Sequence, residues 1–117
     1  MAKDYTQVIR VNKETSRIQK EINRIKQESD ESRWYRIVLK LQLRDVEAKL
    51  KEAPIYLVEQ NRIKMELQLN TEYNRMYAEQ MTYLKMAKRA NDRLSTMMYE
   101  NLDADNKIAY HKKVNKH

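Results

Sequence analysis

The stretch RVNKETS-RIQKEIN-RIKQESD, Arg10 to Asp30, decides the fold class. It is three heptads in succession, with Arg10, Arg17 and Arg24 opening each one and Val11, Ile18 and Ile25 following. With Val8 at position a, the a series is Val8, Thr15, Ile22 and Ser29, and the d series is Val11, Ile18 and Ile25. A narrow apolar seam with a period of about 3.5 residues is the pattern of a coiled-coil helix. Glu14, Glu21 and Glu28 flank it at g, while e holds Asn12, Gln19 and Lys26, so complementary g–e pairs are mostly missing. β-Branched residues at both a and d favour a trimer or tetramer over a dimer. Val8, Val11, Ile18, Ile22 and Ile25 are therefore the expected interface of a homo-oligomer.

Further along, the same register runs through Leu39, Leu43, Val46 and Leu50, but Ser29, Ser32 and Arg36 interrupt it. Ser29-Asp30-Glu31-Ser32 carries small capping side chains and acids suited to a helix start, so a kink or restart is predicted across residues 29–36. From Trp34 to Leu43 the chain is apolar around much of its circumference, which predicts a core segment anchored by Trp34.

The rest of the chain is equally helical in character. Among 117 residues there is no Gly and one Pro, Pro54, while tight reversals and helix C-caps draw mainly on Gly. Proline fits the first turn of a helix, so a new helix is predicted from about Pro54, entered through a helical hairpin or a bent continuation. It runs to about Asn101. Its expected apolar stripe is Val58, Met65, Leu69, Tyr73, Met76, Leu84, Ala87, Leu94, Met98 and Leu102, with Arg62, Gln80 and Asn91 on the same line. Asp103-Ala-Asp-Asn106 reads as a break with an N-cap, followed by a basic tail. The expected architecture is all-α, with elongated helices. It divides into a coiled-coil segment (1–30), core helices broken near Pro54 (31–102) and a tail (103–117).

Chemistry is scarce. Both histidines, His111 and His117, lie in the tail, and there is no cysteine for thiolate or disulfide chemistry. Phosphate-cradling loops need the glycine this chain lacks. Neither histidine sits in a Glu-x-x-His pattern on a helix. No enzyme, metal or cofactor is expected. No apolar run approaches the roughly 18 residues of a membrane span, and no signal-peptide core is seen, so a cytoplasmic location is the default.

The net charge is +7. Three basic features concentrate it. Arg10, Lys13, Arg17, Lys20 and Arg24 occupy c and f, opposite the seam, as a stripe able to follow a phosphate backbone. Lys85, Lys88, Arg89 and Arg93 lie on the long helix with Asp92 among them. Lys107, Lys112, Lys113 and Lys116 stud the tail. DNA or RNA is thus a candidate partner, with Arg10, Lys13, Arg17, Lys20, Arg24, Lys112 and Lys113 as the contacts.

Eight tyrosines and seven methionines, many on the long helix, suit an adaptable interface with other proteins. The expected function is a non-enzymatic structural or assembly protein that self-associates through its helices. Abundant Asn, Lys, Ile and Tyr with scarce Gly and Pro resemble small phage or viral virion components in composition, which would place the chain in a virion. The alternatives are a nucleic-acid-binding accessory factor, acting in regulation, recombination or replication, and a small helical inhibitor of a host protein.

Overall fold

The computed structural model describes residues 4–115, so Lys116 and His117 of the tail lie outside the described residues. The chain is all-α. Helix α1 spans Tyr5–Leu50, a 3-10 turn covers Pro54–Tyr56, α2 spans Leu57–Glu100 and α3 spans Ala104–Val114. No strand occurs among the described residues.

The helix ends follow from the local sequence. Asp4 accepts the Thr6 backbone N–H at 3.1 Å, satisfying one of the donors a first turn leaves open. At the other end of α1, the Lys49 carbonyl accepts the N–H groups of both Glu52 and Ala53 at 3.1 Å. Ala53 is then extended (φ −143°, ψ 111°), the conformation that a following proline imposes. Pro54 opens the next turn, where its missing N–H costs nothing. No described residue has positive φ, so the chain turns here without the left-handed geometry that would call for glycine. Asp103 caps α3 as the sequence indicates, accepting Asn106 N–H at 2.8 Å, with Asp105 in the first turn and His111, Lys112 and Lys113 in the last. These charges oppose the helix dipole at both ends. The expected tail is therefore a capped helix as far as Val114.

The restart predicted across residues 29–36 does not occur, because α1 is helical throughout this stretch. Every a and d position of the register, from Val8 to Leu50, is buried or half-buried. The polar residues at Ser29, Ser32 and Arg36 belong to the seam and do not end it.

Two compact units divide the chain, one continuous in sequence and the other made of two separate stretches. One comprises Arg24–Met81 and the other joins the residues up to Asn23 with those from Thr82 onward. In the Arg24–Met81 unit, α1 and α2 are antiparallel: Ser32 bonds Asn74, Tyr35 bonds Glu66, and Leu39 packs with Ile63. Its core is Leu39, Val46 and Ile63, closed by Leu43, Tyr56 and Leu67.

One polar layer crosses this seam. Asn70, 4% exposed, donates to the Ser32 carbonyl at 2.9 Å and to Ser32 Oγ at 3.1 Å. Ser32 Oγ donates to Asn74 Oδ1 at 2.6 Å, and Asn74 donates back to Asn70 Oδ1 at 3.2 Å. Arg36 reaches Thr71 Oγ1 at 2.6 Å. No buried side-chain polar atom among the described residues lacks a partner. A closed polar layer in an apolar seam sets register, since any slip would strand its donors.

In the other unit, Val8, Ile22 and Leu102 are buried. Asn12 ties three segments together: it donates to Tyr110 Oη on α3 at 3.0 Å and accepts from Ser95 Oγ on α2.

Two expectations about the core need correction. Trp34 is 67% exposed and does not anchor it, because f positions point away from the seam; of the Trp34–Leu43 segment only Leu39 is fully buried. On α2 the covered line is Ile63, Leu67, Asn70, Asn74, Tyr77, Met81 and Leu84, a strict alternation of three and four. The predicted stripe follows a period nearer 3.6, and such a line drifts about 20° per heptad from a 3.5-residue seam. It consequently starts on the outside, where Val58, Met65, Leu69 and Tyr73 are exposed, and meets the covered face from Leu84 and Ala87 onward, with Met98 and Leu102 covered and Leu94 exposed.

Candidate interaction surfaces

The five residues expected to join copies of the chain are covered by the chain itself. Val8 and Ile22 are buried, and Val11 and Ile18 half-buried, in one unit; Ile25 is buried in the other. The heptads are real, but the strand opposite them is α2 or α3 of the same molecule. Sequence reasoning had no means to separate a partner helix further along the chain from one in a second copy, because both satisfy the same period.

Outer faces remain. In the Arg24–Met81 unit, Trp34, Ile37 and Leu41 stand exposed on α1 at spacings of three and four, the spacing of one helix face. On α2 of the same unit, Val58, Met65, Leu69 and Tyr73 are each more than half exposed. Apolar side chains grouped in this way, unlike single exposed ones, mark interaction surfaces.

The unit also has an open groove of 430 Å³ whose walls include Glu28, Glu31, Glu66, Tyr35, Tyr73 and Tyr77. Its charges are partly answered from within. Tyr35 Oη donates to Glu66 at 2.7 Å, and Arg62 donates to Glu66 at 2.6 Å and also grips Glu59. The Tyr35 hydroxyl and then the Arg62 guanidinium hold the Glu66 carboxyl below the usual range, and the Arg62 hydrogen bond does the same for Glu59. Donating to Glu66 raises the Tyr35 phenol. Glu28 pairs with Arg24 at 2.8 Å. Nothing in the periodicity of α1 alone announces this groove, because it forms from c, d and g positions of α1 against residues of α2.

Arg10, Lys13, Arg17, Lys20 and Arg24 are all exposed, as their c and f positions require. Arg17 pairs with Glu14 at 3.3 Å and Arg24 with Glu28, so the flanking acids neutralise part of the stripe. Arg10, Lys13 and Lys20 make no ion pair among the described residues. Folding brings Lys113 of α3 to the same groove as Arg10 and Lys13 of α1, a hollow of 330 Å³ completed by Tyr5, Thr6 and Ile9. Ile9, Lys13 and Lys113 also line an adjoining hollow of 500 Å³ with Asn12, Ser16 and Tyr110. Lys112 is exposed but lines neither. Two basic features that are a hundred residues apart in the chain are thus one surface in part.

Against α2, Tyr99 Oη shares a 2.7 Å hydrogen bond with His111 Nε2, the Tyr99 and Tyr110 rings lie 5.5 Å apart, and Lys107 stands over the Tyr99 ring. This aromatic contact positions α3, and with it Lys113. Among the described residues no group of three His, Cys, Asp or Glu side chains could hold a metal, and no helix is long and apolar enough to cross a membrane.

Fold and surfaces together define a class, an all-α chain of two long helices, antiparallel in the Arg24–Met81 unit, with a short third helix. No protein-family model matches the chain, and no curated protein or solved structure matches it either.

Proposed function

We propose that this chain is a non-enzymatic assembly protein whose Arg24–Met81 unit associates with a second copy through its outer apolar faces, while the basic surface of the other unit faces nucleic acid. The observation that carries this reading is the exposure of Trp34, Ile37 and Leu41 on α1 and of Val58, Met65, Leu69 and Tyr73 on α2, beside a seam that is already complete. A helix that is apolar on two sides is served by more than one neighbour, and a two-helix pair covers only one of those sides. Association through these faces replaces the heptad interface predicted from sequence. Pairing two hairpins would give each helix its second neighbour, in the manner of a helical bundle.

Sedimentation equilibrium tests this. The wild-type chain is expected at a multiple of 14.2 kDa, and Trp34→Glu with Leu41→Glu at the single-chain mass with unchanged helicity. A wild-type protein that stays at the single-chain mass at high micromolar concentration would remove the self-assembly reading. The basic groove favours, as a second reading, a nucleic-acid-binding accessory factor acting as a single chain.

A further inference from the structure

We infer that Arg10, Lys13 and Lys113 form one site for the sugar-phosphate backbone of a single-stranded nucleic acid, with the adjoining hollow beside Tyr110 receiving a base. The inference rests on the nucleic-acid-facing part of the proposed function and is independent of the assembly part.

Three observations carry it. The first is convergence. Two helices that are far apart in sequence deliver three cations to one groove, and Lys13 and Lys113 line both of its hollows. The second is the absence of acid. Among the described residues no carboxylate lines either hollow, and none of the three cations is spent on an ion pair. Like charges held together without counter-charge repel one another, and a bound polyanion relieves that repulsion while releasing its own condensed cations. The stripe at Arg17 and Lys20 continues along the same face of α1, as a backbone longer than one phosphate requires.

The third observation is shape. Hollows of 330 and 500 Å³ fall in the range of about 300–1,000 Å³ that encloses a ligand of small-molecule size. An unpaired base can enter such a hollow, whereas a base stacked inside a duplex cannot without being flipped out. The larger hollow offers Ile9 as an apolar wall, Tyr110 as a ring and Ser16 as a hydroxyl. A basic track beside an aromatic ring is how single strands are held without sequence preference.

Binding is measured by fluorescence anisotropy of labelled oligothymidylate and oligouridylate across a salt series. A duplex of equal length and vesicles containing phosphatidylserine serve as competitors. The probes are the full-length wild type, Lys13→Gln with Lys113→Gln, and the control Lys85→Gln with Arg89→Gln, which removes the same charge from α2 in the same unit. The groove variant is expected to lose tenfold or more in affinity at low salt, and its log–log salt slope should shrink by about 1.4, at about 0.7 per phosphate contact on a single strand. The control should lose less than threefold. Equal losses in both variants would show a diffuse charge effect and overturn the site. So would tighter binding of the duplex, capture by vesicles without capture by either oligonucleotide, or no binding by the wild type at low salt. None of these outcomes alters the mass measured by sedimentation, so a failure here is distinguishable from a failure of the assembly reading.

Discussion

Leu39 and Leu41 stand two residues apart on α1, and the same substitution at each should separate the two faces of the helix. Leu39 is 0% exposed in the core with Val46 and Ile63, whereas Leu41 is 60% exposed on the outer face. Leu→Ala changes helix propensity equally at both sites and only slightly, so that contribution cancels in the comparison. At Leu39 the lost transfer energy and the cavity left beneath it should cost about 3–5 kcal/mol. At Leu41 only two-fifths of the side chain is covered, which by area corresponds to about 1 kcal/mol. Urea unfolding followed by far-UV circular dichroism reads the difference. With a slope of about 2 kcal/mol per molar, the Leu39→Ala midpoint should fall about 1 M or more below that of Leu41→Ala. The measurement belongs at high dilution, because on the proposed function Leu41→Ala would cost more as concentration rises and copies associate. Equal midpoint losses at high dilution would refute the assignment of the seam, and a larger loss at Leu41 would invert it.

Two further outcomes follow from the same packing. Ile18→Asp with Ile22→Asp should melt the unit built from the chain's two ends, seen as lost helicity, because Ile22 is buried within the molecule; retained helicity with a reduced mass would instead restore the seam between copies. Glu59 and Glu66 have carboxyls held low by Arg62 and Tyr35, so their contribution to stability is present above the unfolded value of 4.5 and is lost as pH falls through the lower folded values. Tyr35 is raised above 10.0, so its contribution is present below that pH and is lost as pH rises through the folded value. Tyr35→Phe should flatten the alkaline loss and weaken the acid one, measured by thermal melts across pH.

How far these features were legible in the sequence differs from helix to helix. For α1 the period carries furthest: the register set by Val8 and Val11 holds through Leu50, and the missing glycines match the absence of positive φ among the described residues. The same period misassigned the partner, since a heptad specifies a neighbour and not whose neighbour it is. Ser29, Ser32 and Arg36 interrupt an apolar seam only while α1 is taken alone. Counting outward in equal steps from Ala53 alone sets Ser32 opposite Asn74, a polar match that indicates a hairpin. On α2, a line of apolar residues with the period of a straight helix drew attention to the outer face, while the covered seam contains Asn70, Asn74, Asn91 and Ser95 and looks less like a core. The basic groove was legible only in parts. Arg10 and Lys13 were recognised apart from Lys113, and their meeting depends on the capped α3 helix and its Tyr99–Tyr110 contact.

The measurement that tests the account most directly uses the absence of cysteine. Ser32→Cys combined with Asn74→Cys places two thiols where Ser32 and Asn74 now meet at 2.6 Å. Mild oxidation followed by non-reducing electrophoresis should give a compact single-chain band, in the same yield at low and high protein concentration. Bands at twice the chain mass or above, rising with concentration at the expense of the single-chain band, would show that the seam joins different molecules and would contradict the hairpin.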